Sequence, residues 1–171
     1  MEPLAIKKVN KAMIKISNNH ILALIAIMLA ITCAMSVCAP IRFEKQQARR
    51  EQTVKERLVK IRYAEEKYRR ANGAYCGSFD ILVKEGYLAD SLQYIPFTEN
   101  KKFDLTATTQ ISKSGRQIPL MECGAMYNDY LSGLDENSIA NLIEEANNAG
   151  RYPGLKIGDI TTPNDNAGNW E

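Results

Sequence analysis

The sequence predicts an α+β chain in which a long N-terminal helix is laid on a small antiparallel sheet. Three observations carry that expectation. Residues 21–39, ILALIAIMLAITCAMSVCA, form a run without a single charge. Residues 42–72 are dominated by Glu, Lys, Gln, Arg and Ala and hold neither glycine nor proline. After Leu88 the apolar spacing turns from steps of three and four to alternation, as strands require.

The 171 residues leave room for one globular domain and an extension. Twenty-two Lys and Arg stand against 20 Asp and Glu, so a net charge of +2 points to no polyanionic partner. His20 is the only histidine, which removes most metal-site and histidine-base schemes. GxSxG, P-loop, GxGxxG and HExxH patterns are missing as well, so the chain reads as a non-enzyme. Of four cysteines, Cys33 and Cys38 fall in the apolar run, where a thiol acts as a small hydrophobe. Cys76 and Cys123 fall beyond it and are the pair available for a disulfide in an oxidising compartment.

The organisation follows in order: a tail over residues 1–20, a transmembrane helix over 21–39, a helical stalk over 40–72 and a head over 73–171. Nineteen residues of helix span roughly 28 Å, close to the hydrocarbon thickness of a bilayer, and exceed an ordinary signal-peptide core. Lys7, Lys8, Lys11 and Lys15 precede the run and favour a cytoplasmic N-terminus. Arg42, Lys45, Arg49, Arg50, Lys55 and Arg57 follow it, and a simple count of bases would pull the other way.

Pro40 either kinks one continuous helix or starts a second. Up to Thr53 the stalk has almost no apolar face and reads as solvated or grazing headgroups. From there Val54, Leu58, Ile61, Ala64, Tyr68 and Ala71 draw one stripe. It is too short for a coiled coil, and Glu65 interrupts it, so the chain's own head is the expected cover. Glu65 and Glu66, flanked by Lys67 and Arg69, read as solvated charges. Nucleic acid is not expected, since no aromatic is interleaved with the basic stalk before Tyr63.

Asn72-Gly73 reads as a helix stop, with Arg69 and Arg70 suiting the negative end of the helix dipole. Ser78 then caps a short helix over Phe79–Glu85 that Gly86 ends. The stretch Ala64–Leu88, AEEKYRRANGAYCGSFDILVKEGYL, resembles the helix-to-head junction of type II secretion pseudopilins and type IV pilin-like proteins. Gly73, Tyr75, Ser78, Phe79, Leu82, Gly86, Tyr87 and Leu88 carry the likeness. It implies a pilin-like order of membrane helix, amphipathic half and small β-rich head, with the N-terminus in the cytoplasm and the head in the periplasm. It does not extend to the prepilin cleavage glycine or to the glutamate near the start of the mature chain, which SNNH and the uncharged run replace. Around Pro40–Glu44, Gly77–Asp80, Arg151–Leu155 and Asn166–Trp170 the chain is also similar to single-span envelope proteins of Gram-negative bacteria, which implies no biochemical activity.

Within the head, short strands are expected at Tyr94–Phe97, Phe103–Thr109, Arg116–Met121 and Leu155–Ile160, with Ser114-Gly115 as a hairpin turn. Pro119 points to an edge strand. A helix is expected over Ser138–Asn148, stopped by Gly150. In the tail, Asp159, Asn164 and Asp165 are oxygen donors of the kind calcium takes, without EF-hand spacing, and Trp170 is expected to plug the tail onto the core. The functional expectation is a single-pass inner-membrane protein that presents its head to other envelope or secretion-type proteins or to further copies of itself. A non-polymerising scaffold subunit and a calcium- or glycan-binding module are the alternatives.

Overall fold

The computed structural model describes residues 18–171, apart from the side chains of Met35, Val37, Cys38 and Ala39. Residues 1–17, which carry most of the expected cytoplasmic tail, lie outside the described residues, as does the side chain of Cys38. The protein is α+β. Its contacts separate two units, one ending at Ile41 and one running Arg42–Glu171.

Helix α1 runs Asn18–Asn72 and continues through Pro40 without a break. In the first unit every described side chain from Asn18 to Ala34 is exposed; Ile21, Leu22, Leu24, Ile25, Ile27, Met28, Leu29 and Ile31, each 44–68% exposed, take up most of the circumference, and Ala23, Ala26 and Ala30 form the remaining face. Among the described residues no helix is long and apolar enough to cross a membrane. The described side chains of the 21–39 run are unbroken only as far as Ala34.

From Arg42 onward the same helix is amphipathic. Val54, Leu58 and Ile61 have no exposed surface and Ala64 almost none, while Tyr68 is half-buried and Ala71 exposed. The stripe shares one core with Phe79, Leu82, Met121, Cys123, Leu131, Leu155 and Ile157, so the chain's own head covers it. That cover starts earlier than the sequence suggests. Phe43 packs against the core, and the Arg50 guanidinium donates to the carbonyls of Tyr130 and Ser132 at 3.0 and 2.8 Å.

Gly73 ends α1 with φ +84°, a left-handed residue that a side chain would strain, and its N–H bonds the Arg69 carbonyl at 2.7 Å. Helix α2, Phe79–Lys84, follows with Ser78 at its N-cap position. The Ser78 side chain makes no capping bond, contrary to expectation. Tyr94–Phe97 is not a strand. A turn of 3-10 helix over Asp90–Gln93 leads to one bridge between Tyr94 and Lys102, and Phe97 takes φ +67°, which no strand permits.

Strand β1 is Asp104–Ile111, β2 is Gln117–Met126 and β3 is Gly154–Gly158, ordered β1-β2-β3 and wholly antiparallel. The register sets Leu105 opposite Cys123 and Ala107 opposite Met121 on the core face. Pro119 sits in the central strand rather than an edge strand. It is tolerated because β3 pairs only with Glu122–Met126 and leaves that side of Pro119 open. A single turn α3, Tyr127–Tyr130, and helix α4, Glu136–Asn148, join β2 to β3. α4 begins two residues before the expected start because the Asp135 carboxylate accepts the Ser138 N–H at 2.8 Å.

Past β3 the chain returns along its free edge. Gly158 N–H bonds the Ala167 carbonyl and Asn169 N–H bonds the Lys156 carbonyl, both at 3.0 Å. The edge that would otherwise invite pairing is thereby covered. Trp170 packs half-buried on the core.

Truncating the seam should be costly. Leu58→Ala is expected to destabilise the domain by about 2–4 kcal/mol, read from denaturant unfolding. Ala71→Ser, at an exposed position of the same helix, should move it by less than about 0.5 kcal/mol. Equal effects at the two positions would contradict the burial described.

Candidate functional site

Glu65 stands on the buried stripe between Ile61 and Tyr68, and it has no exposed surface. A carboxylate in that position must find donors, because an unpaired buried charge costs several kcal/mol. It finds two backbone N–H groups in the loop that follows the helix stop. Cys76 N–H donates to Oε2 at 2.8 Å and Gly77 N–H to Oε1 at 3.1 Å. The expectation of a solvated Glu65 is therefore wrong: the side chain turns inward and fastens the loop onto the helix. Burial raises its pKa, and the two N–H bonds work against that rise.

Gly77 is bound to this arrangement by geometry. It has φ +63°, and a Cβ there would stand 2.9 Å from the Cβ of Ala107 on β1. Close approach to the sheet and the left-handed backbone both demand glycine.

Cys76 and Cys123 are both free thiols, not the disulfide that an oxidising compartment would allow. The half-buried Cys76 thiol is 3.4 Å from the Ser78 carbonyl, whereas Cys123 lies wholly buried in the middle of β2. Burial raises both thiol pKa values, that of Cys123 strongly, and the nearby Glu65 carboxylate adds to each. Neither is poised as a nucleophile.

Tyr75, from the same loop, is buried and its hydroxyl accepts the Asn166 side-chain N–H at 2.6 Å. Arg62 reaches the same place, donating to the Asn166 carbonyl at 3.2 Å and to the Glu171 side chain at 3.0 Å. Tyr75, Arg62 and the tail are thus brought together; Gly73 serves only the helix end, and Ser78 stays local to α2. The oxygen donors considered for calcium are used as turn formers instead. Asp159 Oδ1 accepts the N–H groups of Thr161 and Thr162 and the Thr161 hydroxyl, which together hold its pKa down at about 2. Asn164 accepts the Asn166 N–H at 3.1 Å, and Asp165 lies in a left-handed turn with φ +53°. Among the described residues no cluster of three His, Cys, Asp or Glu could hold a metal ion.

Of the clefts open to solvent, one of about 730 Å³ lies along α4 between Asn128, Ser132, Ile139, Ile143 and Asn147. Another, of about 330 Å³, is walled by Tyr127, Tyr152 and Trp170, with Lys55, Arg151 and Lys156 around them. Lys55 stands 5.7 Å from the Trp170 ring and Lys156 5.7 Å from the Tyr152 ring. Neither lining contains a cysteine or histidine, so these walls can bind but carry no nucleophile–base pair.

Sequence reasoning missed Glu65, although one signal was present: a carboxylate set in register with Leu58, Ile61 and Tyr68 cannot face water when its neighbours are buried. Two measurements check the site. Because burial raises the Glu65 pKa above its unfolded value, its contribution favours the fold below that unfolded value and is lost as pH rises through the folded one. The stability difference between wild type and Glu65→Gln should therefore slope in that window and flatten above it, with Glu65→Ala about 1–3 kcal/mol less stable than wild type. In native protein a thiol reagent should modify Cys76 well before Cys123, which should react only on unfolding; equal rates would contradict the burial of β2.

No family model matches the chain, and neither a curated protein nor a solved structure matches it.

Proposed function

We propose that this chain is a single-pass, membrane-anchored structural protein of the bacterial envelope, pseudopilin-like in plan, that presents a small periplasmic head for assembly with partner proteins. The observation that carries the reading is the exposure of every described side chain from Asn18 to Ala34, eight large apolar ones among them, against the buried stripe from Val54 to Ala64 on the same helix. The first segment calls for an apolar surrounding on all sides, which a bilayer supplies. The second is served by the chain's own head. In this reading residues 21–39 span the inner membrane, with the N-terminus cytoplasmic, and the head serves as a docking body.

The aromatic-walled cleft of Tyr127, Tyr152 and Trp170 favours a second reading, in which the anchored head also binds a glycan. In either case the chemistry supports recognition, not turnover.

Alkaline carbonate washing of membranes should leave the full chain in the pellet and detergent should release it. Release by carbonate alone would overturn the anchor. For orientation, a cysteine placed at the exposed Ser114 should react with a membrane-impermeant maleimide once the outer membrane alone is opened. Reaction only after the inner membrane is breached would reverse the proposed direction.

A further inference from the structure

Six basic residues follow the apolar run within eighteen positions, and the fold divides them into two sets. Arg50 is spent on the carbonyls of Tyr130 and Ser132, with its guanidinium 4.9 Å from the centre of the Phe97 ring. Arg57 donates to the carbonyls of Ser91 and Tyr94 at 3.2 and 2.6 Å. Lys55 pairs with Glu51 at 3.9 Å and lies near Trp170. Arg42, Lys45 and Arg49 are different: all three are exposed, and among the described residues their side chains have no ion-pair or hydrogen-bond partner.

Their spacing is not scattered. At about 100° per residue, positions 42, 45 and 49 fall within roughly 60° of one another. Phe43, Arg50 and Val54, which face the head, lie on a separate side of the helix. Glu44, also exposed, falls about 200° from Arg42 and does not cancel the charge. The result is a one-signed strip pointing away from the protein's own core.

We propose that Arg42, Lys45 and Arg49 form a cationic collar that binds the phosphate groups of anionic phospholipid headgroups. The inference rests on the reading of residues 21–39 as the membrane span. Whatever the bend at Pro40, these residues follow Ala39 by at most about 5 to 15 Å of helical rise. The polar layer of a bilayer is roughly 5–7 Å thick on each side, and a surface potential acts over a further 8–10 Å. Side chains on a helix also lean towards its N-terminus, here back towards the run, so long basic stems reach the headgroups. An acidic protein would need a matching surface held at that height; lipid phosphate is already there. The collar leaves Arg50 and Arg57 free to build the head and gives the other three bases a defined place.

The test reconstitutes the full chain into nanodiscs of phosphatidylcholine with a minor fraction of phosphatidylglycerol and measures the lipid retained after a mild detergent wash. Wild type should retain phosphatidylglycerol enriched about fivefold over its bulk share. R42K/R49K should keep that enrichment, because charge drives it, and R42Q/K45Q/R49Q should fall to the bulk ratio. These substitutions touch no buried contact, and an unchanged melting temperature checks that the head stays folded. Bulk-ratio lipid around wild type, or enrichment that survives the triple glutamine variant, overturns the collar while leaving the anchor intact. An acidic protein retained through these three residues at bulk lipid ratio overturns it too. A chain that never enters the nanodisc overturns the anchor, and the collar with it.

Discussion

One carboxylate in an apolar seam decides where the helix stops organising the domain and the loop begins. Glu65 takes two consecutive N–H groups, those of Cys76 and Gly77, at a site from which water is excluded. A hydrophobic residue of similar size could fill the space, but it would leave both donors orphaned at the moment the chain reverses. A charged acceptor bonds each donor more strongly than a neutral one would, and it fixes direction as well as distance. The cost is desolvation, visible in the raised pKa. With the loop held, Gly77 can sit against Ala107 and Tyr75 can turn inward to Asn166, so the sheet, the loop and the C-terminal tail are all referred to one side chain on α1.

The remaining references are arginines. Arg50, Arg57 and Arg62 reach backbone carbonyls at residues 130–132, 91–94 and 166, three segments far apart in sequence. Each bond is partly exposed and modest in energy, yet each joins α1 to a loop that has little regular structure of its own. Carbonyls at the ends of turns have no ladder partner, and a guanidinium with several donors can serve two of them at once. The helix therefore acts as a spine along which irregular segments are hung, and the small sheet needs only three strands to complete the core.

Much of this arrangement was legible in the sequence, and the failures have physical causes. The helix stop at Gly73, the apolar stripe, the hairpin at Ser114-Gly115 and the helix ending near Gly150 depend on periodicity and backbone conformation, which are local. Tyr94–Phe97 failed because its β-like composition serves burial of Ile95 inside a loop; the backbone is decided by the turn at Phe97. Pro119 was assigned to an edge because sequence does not reveal that β3 is shorter than β2. Arg50 and the tail's return along β3 rest on partners 80 and about a dozen residues away, which no local rule announces, whereas the register of Glu65 with Leu58 and Ile61 signals its burial but not its partners 11 and 12 residues on. In the tail, the oxygen donors weighed for calcium have their partners two or three residues away. Asp159 and Asn164 close turns with these atoms, the role that Asp and Asn commonly take in loops.

The two parts of α1 pose opposite solvation problems. Eight large apolar side chains between Ile21 and Ile31 stand exposed, and covering them is worth on the order of 10–20 kcal/mol. A domain of this size is stable by about 5–15 kcal/mol in total, so leaving that surface in water would forfeit as much as the whole fold gains. The eight spread over about 220° of the helix circumference, with Ala23, Ala26 and Ala30 on the rest, so one flat protein face would cover only part of them. In the proposed reading a bilayer answers the first segment; the chain's own head covers the second. In that reading one helix serves two surroundings, and the boundary between them falls where its residue composition changes from uncharged to basic. The stretch just beyond Pro40 would lie at that boundary, and there Arg42, Lys45 and Arg49 have no partner in the head among the described residues.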